Sequence, residues 1–223
     1  MTSNALERLH DYITDVIYPS YKMAPNRRGA VYRLDLANLK MLSNFDAEWF
    51  LRAVEGNLFT EIHGEFTMAR NSARESIFWS GLKSEVPQSK GIAVEPIVTM
   101  GAIARLHFEH GWPLDCLGTQ PTRWKFDLAA YNTDGEAILC EVKRRPRDVE
   151  RMCAYFAGSF EPKSLGELKN LSRKLDYFRG SPAGIFWGLA PGQEEHIHVI
   201  ERGAEPGEFR LHKGSLSDLD YRA

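Results

Sequence analysis

The sequence predicts an α/β protein: a domain over residues 91–223 built on a mixed central sheet flanked by helices, preceded by an α/β extension over residues 1–90. Three observations lead there. Residues 94–111 carry Ile97, Met100, Ala104 and Phe108 at helical spacing, with Gly111 placed to end the helix. The segments 113–118, 124–131 and 136–143 are strand-like, and the last two flank Asn132-Thr133-Asp134-Gly135, which is turn chemistry. Two helical stretches and then the apolar run 183–190 follow, an order that puts helices against a sheet.

Taken in order, residues 3–17 read as a short amphipathic helix with Leu6, Leu9, Ile13 and Ile17 on one stripe and Ser3 or Asn4 as cap. Residues 19–29, with two prolines and a glycine, read as a loop. A strand is expected over 30–36 and a helix over 45–59, ending near Gly56 with Trp49 or Phe50, Ala53 and Val54 on one face. Residues 65–81 suit a hairpin turning at Asn71-Ser72. The segment 136–143, EAILCEVK, is apolar through its middle and so belongs at the centre of a sheet. Pro146 stops it. Val149, Met152, Cys153 and Phe156 suggest one helix; Leu165, Leu168, Leu171, Leu175 and Phe178 define a second, with Lys169, Arg173 and Lys174 opposite its stripe. Strands over 183–190 and 195–201, and another at 208–212, complete the order.

The composition is that of a soluble globular chain, 43% hydrophobic and 26% charged, and no apolar run is long enough for a membrane span. Cys116, Cys140 and Cys153 are too few and too scattered for a disulfide framework or a metal site. With an N-terminus that lacks the apolar core of a signal peptide, this predicts a cytoplasmic protein. The net charge of −2 argues against a coat-like nucleic-acid binder but leaves room for a local basic patch at Lys143, Arg144, Arg145, Arg147 and Arg151.

That patch begins at the most informative stretch. Glu141 and Lys143 stand two apart on a strand and so project to one face. Pairing Tyr131 with Glu136 sets Asp127 opposite Cys140, and a one-residue bulge would set it beside Glu141. Two carboxylates that close need a positive charge between them. Lys143 supplies part of it, and Mg²⁺ is held by such equipment: one or two carboxylates plus waters and phosphate oxygens. His107 and His110 stand at helical spacing without a third ligand, His196 and His198 share a strand face, and both pairs read better as structural. Trp124, between Arg123 and Lys125, reads better as core than as a base-stacking ring.

At Asp127 and Glu141-Val142-Lys143 the sequence resembles the PD-(D/E)xK nuclease superfamily, in which an acid ends one strand and (D/E)-x-K lies on the next. The layout is most similar to the Holliday-junction-resolvase and RecB-nuclease branches, which have a glutamate-bearing helix before the hairpin and a basic helix after it. The resemblance runs from Gly91 to Ala190. It departs from the pattern where Phe126 replaces a proline before the first acid, and where Pro96 puts Glu95 at a helix start, which leaves Glu109 as an alternative outer carboxylate.

What the resemblance implies is a restriction-endonuclease-like fold and metal-dependent hydrolysis of DNA, more as an endonuclease than an exonuclease. It implies Asp127, Glu141 and the Val142 carbonyl as ligands of Mg²⁺, with Mn²⁺ as substitute. Lys143 would position the attacking water and Glu95 would complete the catalytic set. Arg144, Arg145, Arg147, Lys169, Arg173 and Lys174 are the expected phosphate contacts. A homodimer, and a protein partner for residues 1–90, are further expectations. The rival expectation is a non-catalytic binding module on the same fold.

Overall fold

A computed structural model of the chain describes residues 4–71, 73–80, 87–120, 126–192 and 194–222. The Asn4 side chain caps α1 (Ala5–Asp11): it accepts the Glu7 N–H at 2.9 Å, and the Glu7 carboxylate accepts the Asn4 N–H at 3.1 Å. The helix does not stop before Pro19. It passes through a π turn (Tyr12–Ile17), where the Tyr18 N–H donates five residues back to Ile13, and continues as α2 (Tyr18–Met23). The wider turn gives the proline ring space beside the preceding backbone, so the loop expected from residue 19 begins only after Met23.

Strand β1 (Tyr32–Asp35) leads to α3 (Asn44–Glu55), capped reciprocally by Ser43 and Asp46 and closed at Gly56. Three short strands follow, β2 (Thr60–Ile62), β3 (Glu65–Thr67) and β4 (Glu75–Ser76), which form a small antiparallel sheet in that order. The expected hairpin is therefore the β3–β4 pair, with Glu65 opposite Ser76; its turn residue Ser72 lies outside the described residues. The rest of that stretch, β5 (Phe78–Ser80), pairs instead with β6 (Gln88–Ile92), a strand that its mixed polarity hid, and β6 pairs in parallel with β1.

Strand β6 runs into α4 (Val94–Phe108), of which the central residues Ile97 to Leu106 are all buried. Within the expected strand 113–118, a 3₁₀ turn over Leu114–Cys116 comes first, the Cys116 N–H returning to the Pro113 carbonyl at 2.9 Å, and β7 (Leu117–Thr119) is shorter for it. Then come β8 (Leu128–Asn132), β9 (Gly135–Val142), α5 (Pro146–Phe156), α6 (Leu165–Gly180), β10 (Ile185–Ala190), β11 (Glu194–Arg202) and β12 (Phe209–Lys213). The six-stranded sheet has the order β12-β11-β10-β9-β8-β7, antiparallel except for the parallel β9–β10 pair. It is thus mixed, with β9 inside it as the apolar run required.

Strand alternation gives this sheet two dry faces. Leu128, Ala130, Ile138, Cys140, Val142, Trp187 and Leu189 join the core shared with α4 and the N-terminal elements. Ala129, Leu139 and Phe186 join Met152, Phe156, Leu171 and Phe178 of α5 and α6 on the other. Glu141 has the parity of Leu139, so its side chain points into the α5–α6 layer. Among the described residues, no helix is long and apolar enough to cross a membrane.

Candidate active site

The β8–β9 ladder starts with Asn132 opposite Gly135 and Tyr131 opposite Glu136, then skips a residue: Ala130 faces Ile138 and Leu128 faces Cys140. Ala137 is the extra residue of a β-bulge. Beyond the bulge every β9 residue is displaced by one, which brings Asp127, just before β8, opposite Glu141. The Asp127 N–H donates to the Cys140 carbonyl at 3.0 Å, and Asp127 Oδ2 accepts the Val142 N–H at 2.8 Å. The bulge thus supplies the register that the sequence alone left open.

Glu141 is 1% exposed. One carboxylate oxygen meets Lys143 Nζ, and the other accepts from Lys174 Nζ at 2.6 Å. Burial, and then the Glu141 charge beside it, push the Asp127 carboxyl up to about 8, against the pull of Lys143, Lys174 and the Val142 N–H. Burial lowers the Lys143 ammonium, but the charges of Glu141 and Asp127, the hydrogen bond to Glu141 and the charge of Glu95 together leave it above its ordinary value. The cluster consequently sets Lys143 and Lys174 against two carboxyl groups, of which Asp127 is easily protonated.

Glu95 stands in the first turn of α4, and its Oε1 accepts the Arg144 N–H at 3.0 Å, so it reaches the same strand end. Glu109 lies fourteen residues further on, about 21 Å along a helix axis, and pairs with Arg105. Of the two alternatives, only Glu95 is at the cluster.

The basic residues divide. Arg145 and Arg147 are exposed at the start of α5, and Lys169 and Arg173 are exposed on α6. Arg144 is exposed too, but its guanidinium is committed to Asn38 Oδ1 at 2.8 Å. Lys174 does not belong to the solvated face assigned to it. It is 8% exposed and turned inward onto Glu141, while Leu165 and Leu168 are exposed at 85% and 42%. The buried stripe is Leu171, Lys174 and Phe178, at i, i+3 and i+7, and a lysine at that spacing among apolar residues was the available signal. Lys174 is the site residue whose role the sequence reading missed, and Asn38 is its unforeseen N-terminal neighbour.

His107 Nδ1 bonds to the Trp112 carbonyl and His110 Nδ1 to Asp220, each at 2.8 Å, so the two are separately engaged. Arg123, Trp124 and Lys125 lie outside the described residues. The chain was compared with protein-family models, curated proteins and solved structures, and none of the three gave a match.

Among the described residues, no three His, Cys, Asp or Glu side chains gather as a metal cage. A divalent cation here would rest on Asp127, Glu141 and the Val142 carbonyl and take its remaining oxygens from water and substrate, a habit of Mg²⁺. The Asp127 carboxyl fits that use: only its Oδ2 is hydrogen-bonded among the described residues, and the neighbouring Glu141 charge is what a cation would offset.

Proposed function

We propose that this protein is a metal-dependent nuclease that hydrolyses DNA phosphodiester bonds within a strand, on a core of the restriction-endonuclease-like kind. The observation that carries the reading is the bulged hairpin, which aligns Asp127 with Glu141 where Lys143 and Glu95 also arrive. When bound, Mg²⁺ or Mn²⁺ would acidify water and draw charge from the phosphodiester oxygens.

Asp127, Glu141 and the Val142 carbonyl would hold the cation in this reading. Lys143 orients the attacking water and stabilises the charge gathering on the phosphoryl oxygens. The water oxygen joins phosphorus and gives up a proton to solvent, the bond to the leaving sugar oxygen breaks, and that oxygen takes up a proton from solvent water. Lys174 fixes the second Glu141 oxygen and so its rotamer. Glu95 fixes the strand end through the Arg144 N–H. Arg145, Arg147, Lys169 and Arg173 contact phosphates, which position a duplex without reading its sequence. Cutting both strands takes two such sites, hence a homodimer, and residues 1–90 are available to a protein partner.

A second reading has its own support. Both oxygens of Glu141 are already satisfied by lysines, which suits a self-contained ion triad in a binding module. Cleavage of duplex, single-stranded, flapped and junction DNA with Mg²⁺ or Mn²⁺ separates the two. For a nuclease, Lys143→Ala should leave affinity within about two-fold and lower single-turnover cleavage by about a hundred-fold or more, because the lysine acts mainly in the transition state. A cation should also raise the melting temperature of the wild type and not of Asp127→Asn. Wild-type cleavage by Lys143→Ala would leave the ion triad as the better account.

A further inference from the structure

A 3₁₀ turn over Ala37–Met41, between β1 and α3, packs on β6 and α4. Asp35 Oδ1 accepts the Ala37 N–H at 2.9 Å and starts it. Residues three apart eclipse in such a turn, so Asn38 and Met41 form one ledge. Arg144 lies on that ledge: its Nη2 donates to Asn38 Oδ1 at 2.8 Å and its Nε to Met41 Sδ at 3.4 Å. Asn38 is fixed in turn, because its Nδ2 donates to the Ile92 carbonyl at 2.8 Å. An amide serves both ends of this chain, donating at one and accepting at the other.

The ledge is neutral. None of the described carboxylates forms an ion pair with Arg144, whereas Arg27, Arg74 and Arg105 each meet one at 3.3 Å or less. The Nη1 edge of the Arg144 guanidinium has no partner among the described residues, and the residue is exposed. Its charge is therefore held in place without being cancelled. An arginine waiting in a fixed pose has already lost rotamer freedom that a ligand would otherwise have to take from it. The pose is at the candidate site, since Arg144 follows Lys143 and its N–H is held by Glu95 Oε1 at 3.0 Å. Lys143 points with Glu141 and Arg144 points to the N-terminal elements, so the end of β9 carries a cation on each side. One strand of DNA carries a charge about every 3.4 Å of axis, close to the roughly 3.8 Å between neighbouring Cα atoms.

We propose that Asn38 is a positioning residue: it presents the uncancelled Arg144 guanidinium to a phosphate next to the scissile one, so that residues 1–90 complete the DNA-binding surface of the site. This rests on the nuclease reading for the identity of the anion. A guanidinium fork matches phosphate oxygens in geometry as well as charge. The Asn38 amide is what aims it, and a carboxylate in that place would cancel the charge it holds.

The test is the anisotropy of a dye-labelled duplex titrated with the full chain in EDTA across a salt series, paired with cleavage in Mg²⁺. Arg144→Ala should flatten the slope of log affinity against log salt by about 0.9 and weaken binding about ten-fold. Asn38→Ala keeps the charge and loses the pose. Its slope should stay that of the wild type while affinity falls about three-fold, and adding it to Arg144→Ala should weaken binding no further. A merely structural Asn38 would lower affinity equally in both backgrounds. Arg144→Lys, which keeps the charge and loses the fork, should repeat the Asn38→Ala pattern, and it keeps the test open if Asn38→Ala melts early. Wild-type slope and affinity in Arg144→Ala overturn the phosphate contact. Wild-type affinity in Asn38→Ala, or a loss that persists without Arg144, overturns the positioning. Arg144-dependent binding of an oligoglutamate peptide with duplex affinity unchanged makes the partner an acidic protein and overturns the proposal. Arg144-dependent duplex binding without cleavage of any substrate supports the phosphate contact and refutes the nuclease.

Discussion

A lone ionised carboxylate buried as deeply as Glu141 would cost several kcal/mol, and two ammonium groups, from Lys143 and Lys174, remove most of that cost. Asp127 then finds a neighbour already neutralised, but it still feels burial first and Glu141 second, and it rises. Glu75 shows what happens when no cation among the described residues is paired with a buried carboxyl group. It is 5% exposed, its Oε1 has no partner among the described residues, and the hydrogen bond from Gln120 offsets only part of the burial, which pushes the carboxyl up to about 7. Because the folded value lies above the ordinary 4.5, folded protein keeps a proton that unfolded protein releases between those two values. The stabilising contribution is therefore complete below pH 4.5 and is lost as pH rises through 7, by up to about 3 kcal/mol across the window. Glu75→Gln has no such proton to lose. Urea denaturation at pH 4.5 and pH 8 should show wild-type stability falling relative to Glu75→Gln by that order; identical pH profiles would rule the buried charge out as the cause.

At the scale of elements, the hairpin and α6 show what was legible and what was not. The strands flanking Asn132–Gly135 and the interior position of β9 were readable, because alternation and turn chemistry are local. The bulge at Ala137 was readable only as an alternative register. Nothing in an Ala-Ile-Leu run marks which residue drops out of a ladder, and Gly184, whose N–H donates to the Ala137 carbonyl at 3.0 Å, comes from far along the chain. Helix α6 was placed correctly, and Leu171, Leu175 and Phe178 of its expected stripe do face the core, but Leu165 and Leu168 do not and Lys174 does. A leucine stripe was given precedence over Lys174, whereas the buried ion pair with Glu141 fixes the inward face and leaves Leu165 in solvent. Likewise β6 escaped notice because Gln88, Ser89 and Lys90 are polar, although Lys90 is 4% exposed over the Tyr32 ring. The α6 assignment can be tested directly. Lys174→Met strands one oxygen of a buried carboxylate and should destabilise the fold by about 2–4 kcal/mol. Lys169→Met and Arg173→Met, on the exposed face, should stay within about 0.5 kcal/mol. Chemical denaturation of the three variants decides it, and equal losses would mean that Lys174 faces solvent.

For the whole molecule, the question is whether residues 91–223 stand alone. Helix α4 is buried along most of its length because it has neighbours on two sides: the six-stranded sheet and α3. Gly101 of α4 lies so near α3 that a β-carbon there would sit 3.2 Å from Trp49 Cβ. Leu9, Ile13 and Phe50 belong to the same apolar cluster as Ile97, Leu128 and Trp187. Polar ties cross as well: Asp46 Oδ2 accepts the Gly192 N–H at 2.8 Å, and Asn38 joins the Ile92 carbonyl to Arg144. A chain beginning at residue 91 would expose the α3-facing side of α4, lose β1 and β5, and keep only Gly91 and Ile92 of β6. Losing even a few buried side chains of leucine or phenylalanine size costs several kcal/mol, comparable with the whole stability of an ordinary domain. The full chain should therefore unfold in urea with coincident near- and far-ultraviolet circular-dichroism transitions, and a fragment of residues 91–223 should show no cooperative transition. A fragment that unfolds cooperatively at the full-length midpoint would show that residues 1–90 add a surface and not a share of the core, and Glu95 would then be positioned without them.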